Sequence, residues 1–189
     1  MDLGDPVIEN VRNDATVKTI KLLEDDFFWG GYCHGIGIGG TGARDSFMFQ
    51  DTSEYSTEVN NSLYSILDTG ATSIMISSLY YESFIHELFD RTPGSIEWEF
   101  RDGLVYTECQ RDYPMLYFLF DNNWIEVSPD SYVTPVASDS STCIFFLMPA
   151  SLPMNIIGMP AFIDYYTMHD PETGSIDFAP HTVSSKQSL

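Results

Sequence analysis

Short apolar runs broken by Asp, Asn, Gly and Pro recur along nearly the whole chain, and this punctuation limits the fold more than any other feature. Residues 17–23, 32–38, 46–50, 63–67, 115–120, 124–127, 132–136, 143–148, 156–157, 165–168 and 176–178 each have the length and composition of a strand. Residues 79–89 carry a different pattern. Leu79, Phe84, Ile85 and Leu88 fall on one helical face, with Ser77-Ser78 as a cap and Pro93-Gly94 as a stop. The expectation is an all-β domain with one or two short helices.

The chain has 189 residues, 43% of them hydrophobic, which is enough for one domain with a core. No apolar run reaches the roughly 18 residues that span a bilayer. Met1–Pro6 has neither the basic nor the apolar region of a signal peptide. Asp and Glu number 28 against 8 Lys and Arg, a net charge of −20. A surface so acidic repels phosphate backbones and anionic lipid, so neither a nucleic acid nor a membrane is expected as partner. Acidic surroundings suit it, because protonated carboxyls relieve the self-repulsion. The three cysteines form no CxxC pair and the four histidines are scattered, so a zinc site is not expected.

Three motifs stand out. Gly35, Gly37, Gly39, Gly40 and Gly42 imitate a nucleotide loop but lack the helix such a loop needs, so a hairpin or bulge is expected there. Asn60-Asn61-Ser62 is a glycosylation sequon, of consequence only in a secreted protein. The third is the run Ser65-Ile66-Leu67-Asp68-Thr69-Gly70-Ala71-Thr72-Ser73, where an apolar strand delivers an acid into a tight turn of small residues. Alone, it is explained as an ordinary strand-ending turn. Far downstream lie Ile156-Ile157-Gly158, then Tyr165-Tyr166-Thr167-Met168-His169-Asp170, then Ile176-Asp177-Phe178-Ala179-Pro180.

Together, and in this order, these segments resemble the C-terminal lobe of pepsin-like aspartic proteases. That lobe carries a strand running into Asp-Thr-Gly, a helix, an apolar-apolar-Gly segment and two closing strands. Phe27-Phe28-Trp29 sits where the family has an aromatic strand. The resemblance spans residues 16–180, leaving 1–15 as a lead-in and 181–189 as a flexible tail. It implies an acid-protease lobe whose psi-loop carries the catalytic Asp. It also implies an aspartic endopeptidase that cuts peptide bonds by an Asp-activated water, with no metal or cofactor. Asp68 would be one of two catalytic carboxylates. Gly70 would let the backbone approach it, and the Thr69 hydroxyl would bond across to the facing lobe. Phe28, Ala71, Thr72 and Ile156 would line the substrate side, although Phe28 is explained as well by core packing. Cys109 and Cys143 match the lobe's usual disulfide, which points to a secreted or lysosome- or vacuole-like setting. Cys33 is then left as a free, buried thiol.

Two positions depart from the family pattern. Ala71 replaces a hydroxyl residue and Met159 replaces an Asp. Losing the hydroxyl donor beside the carboxylate implies an activity optimum less acidic than pepsin's, and Ala71→Thr is expected to move the acidic limb of the pH–rate profile down. The sequence contains no second Asp-Thr-Gly or Asp-Ser-Gly and no flap tyrosine segment. Three arrangements follow: pairing with an N-terminal lobe of the same protease, self-pairing with a second copy as in retroviral proteases, or a non-catalytic binding or inhibitory module.

Overall fold

The computed structural model describes residues 8–23, 28–39, 63–109 and 112–182. The strand expected at 46–50, the sequon at Asn60, Gly40, Gly42, Phe27, residues 1–7 and residues 183–189 lie outside them.

The described residues are mostly strand, with two short helices. In chain order the strands are β1 (Lys18–Lys21), β2 (Gly30–Gly39), β3 (Leu63–Leu67), β4 (Ile74–Ser77), β5 (Trp98–Arg101), β6 (Leu104–Glu108) and β7 (Met115–Phe120). They continue with β8 (Asn123–Val127), β9 (Val133–Val136), β10 (Asp139–Phe145), β11 (Leu147–Ala150), β12 (Asn155–Ile157), β13 (Tyr165–Asp170) and β14 (Ser175–Pro180). The helices are α1 (Tyr81–Asp90) and α2 (Pro129–Tyr132).

Seven strands form the largest sheet, in the order β11-β4-β12-β3-β2-β7-β8, while β5-β6-β10-β9 and β1-β14-β13 form two smaller ones. The three-stranded sheet joins the ends of the described chain: β1 pairs antiparallel with β14. Just outside it, the Arg12 amide donates to the Pro180 carbonyl and the Thr182 amide to the Asn10 carbonyl.

The glycine-rich run is strand rather than hairpin as far as Gly39, and the bulge alternative finds its counterpart in a register shift between Cys33 and Gly35. Its glycines sit opposite large side chains of β7: Gly35 faces Leu119, Gly37 faces Tyr117 and Gly39 faces Met115. A strand glycine leaves the space that a bulky cross-strand partner fills.

Helix α1 starts two residues later than expected. Its N-cap position is Tyr80, with no side-chain cap, so Ser77-Ser78 does not cap it. Leu79 lies outside the helix and is exposed. Tyr81 and Phe89 join Phe84, Ile85 and Leu88 on the buried face instead. Phe89 stacks between Trp98, at 5.0 Å, and Phe145, at 5.4 Å. Each such aromatic contributes about 1.5–3 kcal/mol of burial, so α1 is bound firmly to the four-stranded sheet, to which both Trp98 and Phe145 belong.

Cys109 and Cys143 are joined as a disulfide, and Cys33 is free and buried. The Cys33 thiol donates to the Gly35 carbonyl, and burial pushes its pKa up to about 12. A thiol this reluctant to ionise is inert. We therefore expect no reaction with a disulfide-exchange reagent under native conditions, and one thiol per chain after unfolding without reductant. A native count of one would contradict the placement of Cys33.

Candidate active site

Asp68 is the residue at which β3 stops. Antiparallel pairing with β2 holds the strand on one side, with Ile66 opposite Gly30. One residue on, the Leu67 amide donates to the Trp29 carbonyl at 2.8 Å. Parallel pairing with β12 holds the other side, Ile66 against Ile156 and Leu67 against Ile157. The Asp68 amide then donates to the Ile157 carbonyl at 3.0 Å. The chain turns over itself here, because the Ala71 amide donates to the Asp68 carbonyl at 3.2 Å. Inside that turn the Gly70 amide donates to Asp68 Oδ1 at 2.8 Å. Asp68, Thr69, Gly70 and Thr72 are exposed, and Ala71 is half-buried. An acid is thus presented at the tip of a loop whose base is fully hydrogen-bonded.

The loop is also supported from behind. β12 lies between β3 and β4, parallel to the first and antiparallel to the second. Beyond it, the Met159 amide donates to the Ala71 carbonyl at 2.7 Å. A Cβ on Gly158 would fall 2.1 Å from the Ser73 carbonyl oxygen and 2.7 Å from that of Ala71. Only glycine permits so close a pass of two backbones. At Gly70 the crowding is milder, since a Cβ would meet Asp68 Oδ1 at 3.1 Å. The described arginines pair with other carboxylates: Arg12 with Asp14, Arg91 with Glu87 and Arg101 with Glu99.

Phe28 is 54% exposed and is not a core residue. It lies one residue before Trp29, at the end of β2 that flanks Asp68. Ile156 is half-buried. It belongs to a cross-sheet row in which Ile66, Ile156, Met75 and Met148 are aligned on adjacent strands. All four are half-buried, whereas their strand neighbours Leu67, Ile157, Ile74, Ile76 and Leu147 on the other face are fully buried. Side chains alternate faces along a strand, so the row is a second, apolar face of the sheet that runs away from Asp68. Ile66, Met75 and Met148 do not stand out in the sequence as site residues. Ile66 could have been found, because it stands two residues before Asp68 and shares its parity.

His169, on β13, packs its ring edge-on against Trp29 with centroids 4.8 Å apart. Partial desolvation there pulls the imidazole pKa below its usual 6.5. The unfolded chain therefore takes up this proton before the folded one does. The contribution of this group to stability is therefore complete above about pH 6.5 and is lost as the pH drops through that value towards the folded pKa. His169→Phe is expected to flatten this part of the stability profile, as read from urea midpoints between about pH 7 and pH 4. An unchanged slope would contradict it.

The family model for eukaryotic aspartyl proteases matches residues 44–181. The chain belongs to that family. A search of curated proteins finds no match. Membership makes this a protease domain acting on peptides, and the mainly β architecture agrees with it. Among the described residues no helix is long and apolar enough to cross a membrane.

Proposed function

We propose that residues 16–180 form the C-terminal lobe of a pepsin-like aspartic endopeptidase and that Asp68 is one of its two catalytic carboxylates. The observation that carries this is the exposed Asp68, held by the Gly70 amide and by β12 at the tip of a hydrogen-bonded turn. The threading of β12 between β3 and β4 supports a psi-loop, and the β1–β14 pairing supports a lobe that includes residues upstream of the family match.

One carboxylate cannot do the chemistry. Two that face each other share a proton, because two negative charges about 3 Å apart do not both persist. The pair titrates as a unit. Its ionised member takes a proton from water, and its protonated member donates to the scissile carbonyl oxygen. The water oxygen adds to the carbonyl carbon, and the resulting gem-diol collapses: its C–N bond breaks as one carboxyl gives its proton to the nitrogen and the other carboxylate takes one from a hydroxyl, releasing an acid and an amine. The second carboxylate comes from an N-terminal lobe, and the Thr69 hydroxyl bonds across to it, a role its exposure at the loop tip supports. An extended peptide lies over Phe28 and Ile156, beside Ala71 and Thr72. The disulfide fits a secreted or lysosome-like compartment, where oxidised cysteines persist.

The test is peptidase activity against protein concentration, with and without an added N-terminal lobe. Activity that appears only with that lobe supports the assignment. Activity that rises with the square of this chain's concentration identifies a second copy as the partner. Peptide binding without turnover in every mixture, unchanged by Asp68→Asn, overturns it.

A further inference from the structure

We propose that Asn155 is a positioning residue for Asp68, acting through β12. It is fully buried, and so are Ser65 and Ser77. The Ser77 amide donates to Asn155 Oδ1 at 3.0 Å, and the Tyr80 hydroxyl donates to the same oxygen at 2.6 Å. Asn155 Nδ2 donates to Ser65 Oγ at 3.2 Å, and that hydroxyl donates in turn to the Leu63 carbonyl at 3.1 Å. One side chain thus ties together β3, β12, the end of β4 and the residue that opens α1.

The arrangement matters because β12 is only three residues long and meets β4 at a single register pair, Ile156 with Met75. So short a strand has few ladder bonds of its own to fix its height between two neighbours. Two residues beyond Asn155, the Ile157 carbonyl receives the Asp68 amide, and two further on the Met159 amide holds the Ala71 carbonyl. Any slide of β12 moves both ends of the Asp68 turn. An amide side chain suits this role because both lone pairs of its oxygen are used and its nitrogen points a donor to the opposite strand. An aliphatic side chain would fill the space and leave the Ser77 amide buried without its partner.

The consequence for turnover rests on Asp68 being a catalytic carboxylate, but the clamp itself can be read without turnover. In Asn155→Leu, amide hydrogen exchange at Asp68 and Met159 is expected to accelerate about tenfold or more beyond any change at Phe84 and Leu88 in α1. Asn155→Asp, studied near pH 5 where burial keeps the new carboxyl protonated, is expected to restore exchange to within about threefold of native. If Asn155→Leu does not fold, Asn155→Ser, too short to reach Ser77 and Tyr80, carries the same expectation. In the two-lobed enzyme kcat is expected to fall about 100-fold with KM nearly unchanged, since a small displacement of a reacting group suffices for that loss. Equal acceleration at all amides, unchanged exchange at Asp68 and Met159, or Asn155→Asp as fast as Asn155→Leu would overturn the role. Failure of the Asp68 assignment shows separately, as an Asp68→Asn enzyme that still turns over.

Discussion

In the assembled enzyme, Asp68→Asn is expected to lower kcat by about 10⁴-fold, the upper end of what a positioned acid–base group supplies. KM should change little, because Phe28 and Ile156, over which the peptide is proposed to lie, are untouched. The substitution is nearly isosteric and Asp68 is exposed at a loop tip, so stability should stay within about 0.5 kcal/mol of native. The amide can still accept from the Gly70 N–H through its oxygen. What it loses is the ability to share a proton with a facing carboxylate and to take one from water. Steady-state kinetics on a peptide, together with a urea midpoint on the same sample, separates this from unfolding. A fall in kcat accompanied by an equal loss of folded protein would remove the support for a catalytic role.

Gly158→Ala should have the largest effect on stability, about 4 kcal/mol or more. The new methyl group would sit 2.1 Å from the Ser73 carbonyl oxygen, and no flexible side chain is there to yield. Relief requires separating β12 from the Asp68 loop, which breaks the Met159–Ala71 bond and strains the bond between the Asp68 amide and Ile157. With a urea m-value near 2 kcal/mol/M the midpoint should fall by about 2 M. Gly70→Ala is the informative contrast. Its methyl would meet only the Asp68 carboxylate, at 3.1 Å, so the cost should be about 1 kcal/mol or less while the carboxylate is displaced. Equal destabilisation by the two substitutions would contradict the close approach seen at Gly158.

The strands were legible wherever hydrophobic periodicity and turn residues agreed, as at β3, β7 and β8. Strand β4 was not, because Ile74-Met75-Ile76 offers no polar alternation and sits directly beside the helix start. Leu79 misled for a related reason. It has the right spacing for the apolar face of α1, but the chain is still turning at that point and Tyr80 takes the cap position. The glycines of β2 looked like turn residues because their purpose lies on another strand, opposite Tyr117 and Leu119. The same limit applied around Asp68. The loop sequence named the acid and its glycine, and the resemblance that singled out Ile156-Ile157-Gly158 reached the segment that braces it, but Met159 just beyond stood out only as a departure from the family pattern. Asn155 carried no signal, since a polar residue before an apolar pair reads as a loop end until its three partners are brought around it.

The most direct test is titration of the active protein with a pepstatin-type transition-state mimic while turnover is followed. The expected result is complete inhibition at one inhibitor per pair of facing loops, with no stoichiometric binding to the lobe alone and none when Asp68 is replaced by Asn. Stoichiometric binding to the isolated lobe, or inhibitor binding that survives Asp68→Asn, would show that this carboxylate is not half of a shared pair.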